Sequence, residues 1–221
     1  MHHIPQRLRQ RLDWTPVSLN KWEKPVVLLL YAGKDDAGSL DACLHAHHAW
    51  ISPFIRAIDT RRDAGKLGQD MLASEPYNTL CTLAARSLVP IVLGGPNCRT
   101  WSILRWFPKP GTPKPVRGRE ESRVWGLPGL TLRDQEDVDN DSTLLLRQMY
   151  LTPRAYQGMS AQTVPHCPGS FPEHPTDPKE ASNSPSAHKC STIWDTKAYH
   201  HWAKSLRHRQ IKFDQAAATP S

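Results

Sequence analysis

The segment Gly94-Gly95-Pro96-Asn97-Cys98-Arg99-Thr100-Trp101-Ser102 sets a cysteine in a Gly/Pro turn directly after an apolar run at residues 89–93. A cysteine so placed does chemistry as a thiolate: it adds to an electron-poor carbon when a neighbour lowers its pKa or when protonation activates the substrate. Arg99, next in the chain, is a cation suited to help. A cysteine packed structurally into a tight turn is the competing reading of the same residue. His166-Cys167 and His188-x-Cys190 carry metal-ligand residue types, but their spacing matches no zinc knuckle or finger and they lie in Pro/Ser-rich sequence. No metal is expected there. His45, His47 and His48, at the end of a helical stretch, are accounted for by a favourable interaction with the helix dipole.

Beyond Ser102 the chain turns basic and proline-rich, with Arg105, Lys109, Lys114, Arg117, Arg119 and Arg123 interleaved with Trp106 and Trp125. That is the composition of a surface loop facing nucleic acid, with cations for phosphates and indoles to stack on bases. A basic loop that touches nothing is the alternative. The whole chain has 28 Lys and Arg against 21 Asp and Glu, a net charge of +7, which favours an anionic partner.

These groups need a scaffold to hold them. Residues 26–31, Val-Val-Leu-Leu-Leu-Tyr, form an unbroken apolar run opened by Pro25 and closed by Gly33, the pattern of a strand buried on both faces of a parallel sheet. A helix is predicted over 38–50 with Ser39 as N-cap, then a strand over 54–58 ending at Asp59. After a polar stretch, residues 67–72 lead to a helix over 75–87 and a third strand over 89–93. This alternation predicts an α/β fold with right-handed crossovers and a doubly wound, mostly parallel sheet. Ligands of such sheets bind beyond the carboxyl ends of the strands, marked here by Gly33, Asp59 and the cysteine segment. Farther on, a short helix is expected over 141–150 with Asp141 or Ser142 as its cap, then Pro/Ser/Thr-rich sequence over 161–191. A helix over 195–206 and a strand over 210–213 close the pattern. The expected organisation is a basic N-terminal tail (1–24), read as a weak import signal or a solvated tail, a core (25–158), a Pro/Ser-rich loop or linker (159–192) and a C-terminal helix-strand segment with its tail (193–221).

A length of 221 residues suits one domain, and a hydrophobic share of 38% suits a core with irregular appendages. The 20 prolines fall mainly between 105 and 183, so the first hundred residues should be the better-packed part. Five cysteines, odd in number and irregularly spaced, argue against a disulfide framework and for an intracellular, reducing compartment, the nucleus in a eukaryote. Residues 1–24 lack the apolar stretch of a signal peptide, and the longest apolar run, 26–32, is too short to cross a bilayer, so no membrane partner is expected.

Gly95-Pro96-Asn97-Cys98-Arg99-Thr100-Trp101-Ser102 resembles the Gly-Pro-Pro-Cys-x-x-Phe-Ser signature of the DNA cytosine-C5 methyltransferases, with Asn97 in place of the second proline and Trp101 in place of phenylalanine. Leu29-Leu30-Tyr31-Ala32-Gly33 is similar to that family's Leu-Phe-Ser-Gly, and Asp59 and Asp70 stand where its two acidic cofactor contacts stand in chain order. Phe171-Pro172-Glu173-His174 resembles its Glu-Asn-Val motif in the glutamate alone. The stretch around Ile193-Trp194-Asp195-Thr196 and Phe213-Asp214-Gln215 looks like segments of algal and retroelement-type methyltransferase relatives. The resemblance implies a Rossmann-like S-adenosyl-L-methionine-dependent methyltransferase fold, incomplete at the C-terminus. It implies cofactor contacts at Tyr31, Gly33, Asp59, Asp70 and Pro96, Cys98 as the nucleophile on C6 of a flipped-out cytosine, and Glu173 assisting protonation at N3. DNA is the expected partner, with RNA a further candidate, and Arg99, Arg105, Trp106, Arg117 and Arg119 are its expected contacts. A silent domain that keeps the fold and binds nucleic acid without turnover is the rival reading.

Overall fold

The computed structural model describes residues 3–19, 24–32, 39–48, 50, 52–59, 69–106, 110–111, 113–160, 169–172 and 191–206. Its centre is a four-stranded parallel sheet flanked by helices, with β1 (Val27–Leu30), β2 (Ile55–Ile58), β3 (Ile91–Gly94) and β4 (Gly169–Pro172) in the order β2-β1-β3-β4. Leu30 pairs with both Ile58 and Gly94, and Gly94 with Pro172, so the carboxyl ends of all four strands lie level. Parallel strands covered on both faces select continuous apolar runs, and all four residues of β1 are buried. Leu28, Leu29 and Leu30 are each 1% exposed. Burial on that scale contributes about 1.5–3 kcal/mol per leucine.

Helix α2 (Leu40–His47) begins where the Ser39 hydroxyl accepts the Ala42 amide and carries Asp41 in its first turn, a charge that suits the dipole, with His45 and His47 in its last. Helix α3 (Ser74–Ala85) packs against the sheet face carrying Val26, Leu28, Leu30 and Val92, through Tyr77, Leu80, Cys81 and Ala84. The strands and both helices of the first half stand within a few residues of their predicted places.

The second half departs from expectation. In place of a short helix over 141–150 there is one 29-residue helix, α4 (Leu132–Ser160). Its true start is Thr131, whose hydroxyl accepts the Asp134 amide and donates to the Asp134 carboxylate, and whose carbonyl accepts the Gln135 amide. Acidic residues crowd the first turns, where the positive end of the dipole lies. Asp141 and Ser142, expected as caps, are instead buried in the middle of the helix. Helix α4 is the spine between two cores. Leu151 and Ala155 enter the cluster under the sheet. Leu145, Leu146 and Met149 enter a second cluster with Trp101, Val124, Trp125, Ile193, Tyr199 and Trp202. Helix α5 (Lys197–Ser205) supplies the last two, capped at its start by the Thr196 hydroxyl on the Tyr199 amide.

The expected solvated tail is also corrected. Short helix α1 (Gln6–Gln10) buries Leu8 completely, and Ile4 and Leu12 join the second cluster. Arg7 pairs with Asp139 of α4 at 3.0 Å and donates to the Trp125 carbonyl, and Arg11 donates to Asn140. Arg147 of α4 returns the tie, with two donors on the Arg11 carbonyl and one shared by the Met71 and Ala73 carbonyls. The basic residues of this segment meet acidic and carbonyl groups of the core, which is why it folds onto it. Among the described residues no helix is long and apolar enough to cross a membrane. The predicted strand at 210–213 and most of the Pro/Ser/Thr-rich stretch lie outside the described residues.

Candidate functional site

The chain leaves β1 toward β2 on one side and returns to β3 on the other, and a crevice opens where these connections diverge, beyond the carboxyl ends of the strands. A cleft of about 370 Å3 lies there, lined by Tyr31, Asp59, Gln69, Asp70, Met71, Leu72, Gly95, Asn97 and Leu144. Tyr31 directly follows β1, Asp59 directly follows β2 and Gly95 directly follows β3.

Each wall is fixed locally. Tyr31 adopts the left-handed backbone region at φ 58°. Its amide donates to the Ile58 carbonyl, and its hydroxyl donates to the Leu144 carbonyl of α4 at 2.6 Å. Burial pushes the phenol well above its ordinary value, against a weaker opposing pull from Arg147, so it stays protonated at neutral pH. Asp59 is 7% exposed, and its amide donates to Gln69 Oε1, which ties the end of β2 to the segment entering α3. Asp70 accepts the Leu72 amide on its carboxylate and the Ala73 amide on its carbonyl, the turn that starts α3. Gly94 sits where a Cβ would come within 2.6 Å of the Leu30 carbonyl oxygen, and Gln148 of α4 donates to its carbonyl.

The cysteine segment crosses from this cleft to the second core. Asn97 Oδ1 accepts the Arg99 amide, an Asx turn around Cys98, and the Trp101 amide donates to the Cys98 carbonyl to open a 3-10 turn at Arg99–Trp101. The Thr100 amide donates to the Asp141 carboxylate at 2.9 Å. Cys98 itself is half-buried and packs against the second apolar cluster. Pro96 is buried beside it.

Arg117 overturns its expected role. Instead of reaching toward phosphates from a surface loop, it is 2% exposed, with its guanidinium 3.7 Å from the centroid of the Trp101 ring. It donates twice to Thr100 Oγ1, and also to the Val124 and Val138 carbonyls and the Ser142 hydroxyl. Burial pushes its pKa down to about 9, opposed by Asp141 and Asp139, so it is a cation at neutral pH. Trp125, expected to stack on bases, is 3% exposed in the same core. The physical reason is shared: residues 116–125 fold back onto α4, and a guanidinium with this many acceptors is better satisfied inside than a lone cation would be.

The remaining expected contacts are nearer the surface. Arg99 is exposed and pairs with Asp137 at 2.7 Å. Arg105 donates to the Arg99 and Lys114 carbonyls, holding the loop to the cysteine turn, and Trp106 is half-buried. Arg119 pairs with Asp195. Gly33 and Glu173 lie outside the described residues, as do the four His and Cys residues considered for zinc. The described residues contain no group of three or more His, Cys, Asp or Glu that could hold a metal ion. Gln69, Leu144 and Gln148 are parts of the site that sequence reasoning missed. Gln69 adjoins Asp70 and was within reach, whereas the other two meet the strand ends only because α4 is long.

Comparison with protein-family models, with curated proteins and with solved structures gives no match to this chain.

Proposed function

We propose that the chain is a Rossmann-like, doubly wound domain that binds S-adenosyl-L-methionine in the strand-end cleft and acts on cytosine in nucleic acid, DNA before RNA, through Cys98. The observation that carries the reading is the convergence of Tyr31, Asp59, Asp70 and the Gly95–Asn97 backbone on one cleft, with Cys98 immediately beyond it. The residues fit the cofactor. A carboxylate accepts two hydrogen bonds and suits vicinal ribose hydroxyls at Asp59, Asp70 suits an adenine amino group, and the cleft reaches the turn that holds the cysteine. The bound group would supply an electrophilic methyl. The chain supplies the rest: Cys98 Sγ adds to C6 of the base, Glu173 supports protonation at N3, and the thiolate leaves C6 again once the C5 proton is removed.

Calorimetry with S-adenosyl-L-methionine, followed by covalent trapping on DNA containing 5-fluorocytosine, tests both halves. Asp59→Ala and Asp70→Ala should weaken cofactor binding at least tenfold, and a denaturant-resistant adduct should form in the wild type but not in Cys98→Ala. Absence of cofactor binding by the wild type overturns the reading.

One observation favours a binding domain without turnover. Cys98 packs against an apolar cluster, the surroundings of a structural cysteine. For that reading, cofactor or nucleic acid binds and no adduct forms.

A further inference from the structure

We infer that Arg117, Thr100 and Asp141 form a positioning device for the cysteine turn, which sets where Cys98 Sγ stands relative to the strand-end cleft. The inference rests on the reading of Cys98 as a nucleophile, and it adds residues that have no part in holding cofactor or base.

Thr100 lies two residues after Cys98 and is the point where two parts of the fold take hold of the turn. From α4, the Asp141 carboxylate accepts its amide at 2.9 Å. From residues 113–117, Arg117 donates to its hydroxyl through Nε at 3.1 Å and through Nη2 at 2.8 Å. The same guanidinium covers the Trp101 ring, and the Trp101 amide in turn holds the Cys98 carbonyl at 2.9 Å. Thr100 is 3% exposed, Arg117 2% and Asp141 2%, so these bonds are shielded from water. Asp141 and Arg117 both reach Thr100, a cation on the hydroxyl and an anion on the amide, so the turn is fixed in two directions at once.

A turn of this size is held as well by apolar packing, and burying both a cation and a carboxylate is unfavourable before their bonds are counted. What hydrogen bonds add that packing does not is direction. A nucleophile displaced by about 1 Å from attack geometry loses on the order of a hundredfold in rate. The Trp101 amide holds the Cys98 carbonyl and Asn97 Oδ1 holds the Arg99 amide, so the cysteine moves with the turn that Thr100 anchors.

The test compares Thr100→Val, which keeps the shape and removes the hydroxyl, with Thr100→Ser, which keeps the hydroxyl. Adduct formation on 5-fluorocytosine DNA should slow at least tenfold in Thr100→Val and return to within about threefold of wild type in Thr100→Ser. The cofactor dissociation constant, read by calorimetry, should stay within twofold in both. Gly158→Ala, which strains the α3–α4 contact away from the turn, serves as a stability control and should form the adduct at the wild-type rate. Equal adduct rates in Thr100→Val and wild type, or a Thr100→Ser as slow as Thr100→Val, overturn the inference. Should Thr100→Val fail to fold, Asp141→Asn is read against the same tenfold criterion. If the wild type forms no adduct, the function fails and the device is judged on the pH profile of Cys98 carbamidomethylation by iodoacetamide, followed by peptide mass spectrometry. A profile shifted in Thr100→Val and restored in Thr100→Ser then supports the device, and identical profiles overturn it.

Discussion

Gly158 of α4 lies against the carbonyl of Ala84 in α3, so close that a Cβ on it would stand 2.5 Å from the Ala84 oxygen and 2.9 Å from that of Ala85. The contact is backbone on backbone, which cannot turn aside as a side chain can. Gly158→Ala must therefore push the C-terminal part of α4 off α3, although alanine is the better helix former. Overpacking of this kind costs about 1–3 kcal/mol and outweighs the gain of up to about 1 kcal/mol from helix propensity. The urea midpoint should fall. A midpoint equal to or above wild type would mean the helices pack less closely than this.

Two arginines two residues apart should behave in opposite ways. Arg117→Met leaves the Val124 carbonyl and the Thr100 hydroxyl without their buried donor, and should cost about 3–5 kcal/mol in unfolding free energy. Arg119 pairs with Asp195 with both side chains partly exposed, at 26% and 32%, and Arg119→Ala should cost less than about 1 kcal/mol. Denaturant unfolding of the two variants side by side checks the ratio, and comparable losses would contradict the burial difference.

That contrast also marks where the sequence stops being legible. The strands of the first half are plain, because a parallel sheet covered on both faces demands unbroken apolar runs, and residues 26–30 can be little else. The strand ends follow, and with them the neighbourhood of Tyr31, Asp59 and Asn97. Nothing local announces α4 before residue 141. Arg133 to Asp141 is nearly all polar, rich in the Asp and Asn that favour caps and turns, and it becomes helix because Thr131 caps it and because Asp139 and Asp141 meet Arg7 and the Thr100 amide from distant parts of the chain. Arg117 reads as one more cation in a basic stretch for the same reason. Its burial is a property of Thr100, Trp101 and α4, 15 or more residues away, and no pattern within its own segment encodes it.

The cysteines give a graded test of packing. Cys43 is exposed, Cys98 half-buried and Cys81 buried, with the Cys81 thiol pushed up to about 11 by burial against weaker opposing effects from Tyr77, Arg154 and Arg147. Alkylation follows the accessible thiolate, so Cys43 should react first, Cys98 more slowly and Cys81 only on unfolding. Pulsed iodoacetamide labelling with peptide mass spectrometry reads all three. Labelling of Cys81 in the folded chain at a rate near that of Cys43 would place it outside the core.

Asp141 makes a pH prediction whose sign is fixed by its burial. Desolvation raises its pKa above the ordinary carboxylate value, and the Thr100 bonds and the charges of Arg117 and Arg99 only partly oppose it. Between the ordinary value and the raised one, the folded chain holds a proton at Asp141 that the unfolded chain has released. The unfolded state thus binds fewer protons in that window, and the contribution of Asp141 to stability falls as pH rises through it and is recovered as pH falls. Asp141→Asn cannot titrate and lacks this slope. Unfolding free energies of wild type and variant, measured from neutrality down to the ordinary carboxylate value of about 4, should therefore diverge in favour of the wild type as pH falls. A wild type that loses ground to Asp141→Asn over the same range would show that the bonds to Thr100 and the nearby guanidinium outweigh burial and hold the Asp141 pKa below the ordinary value.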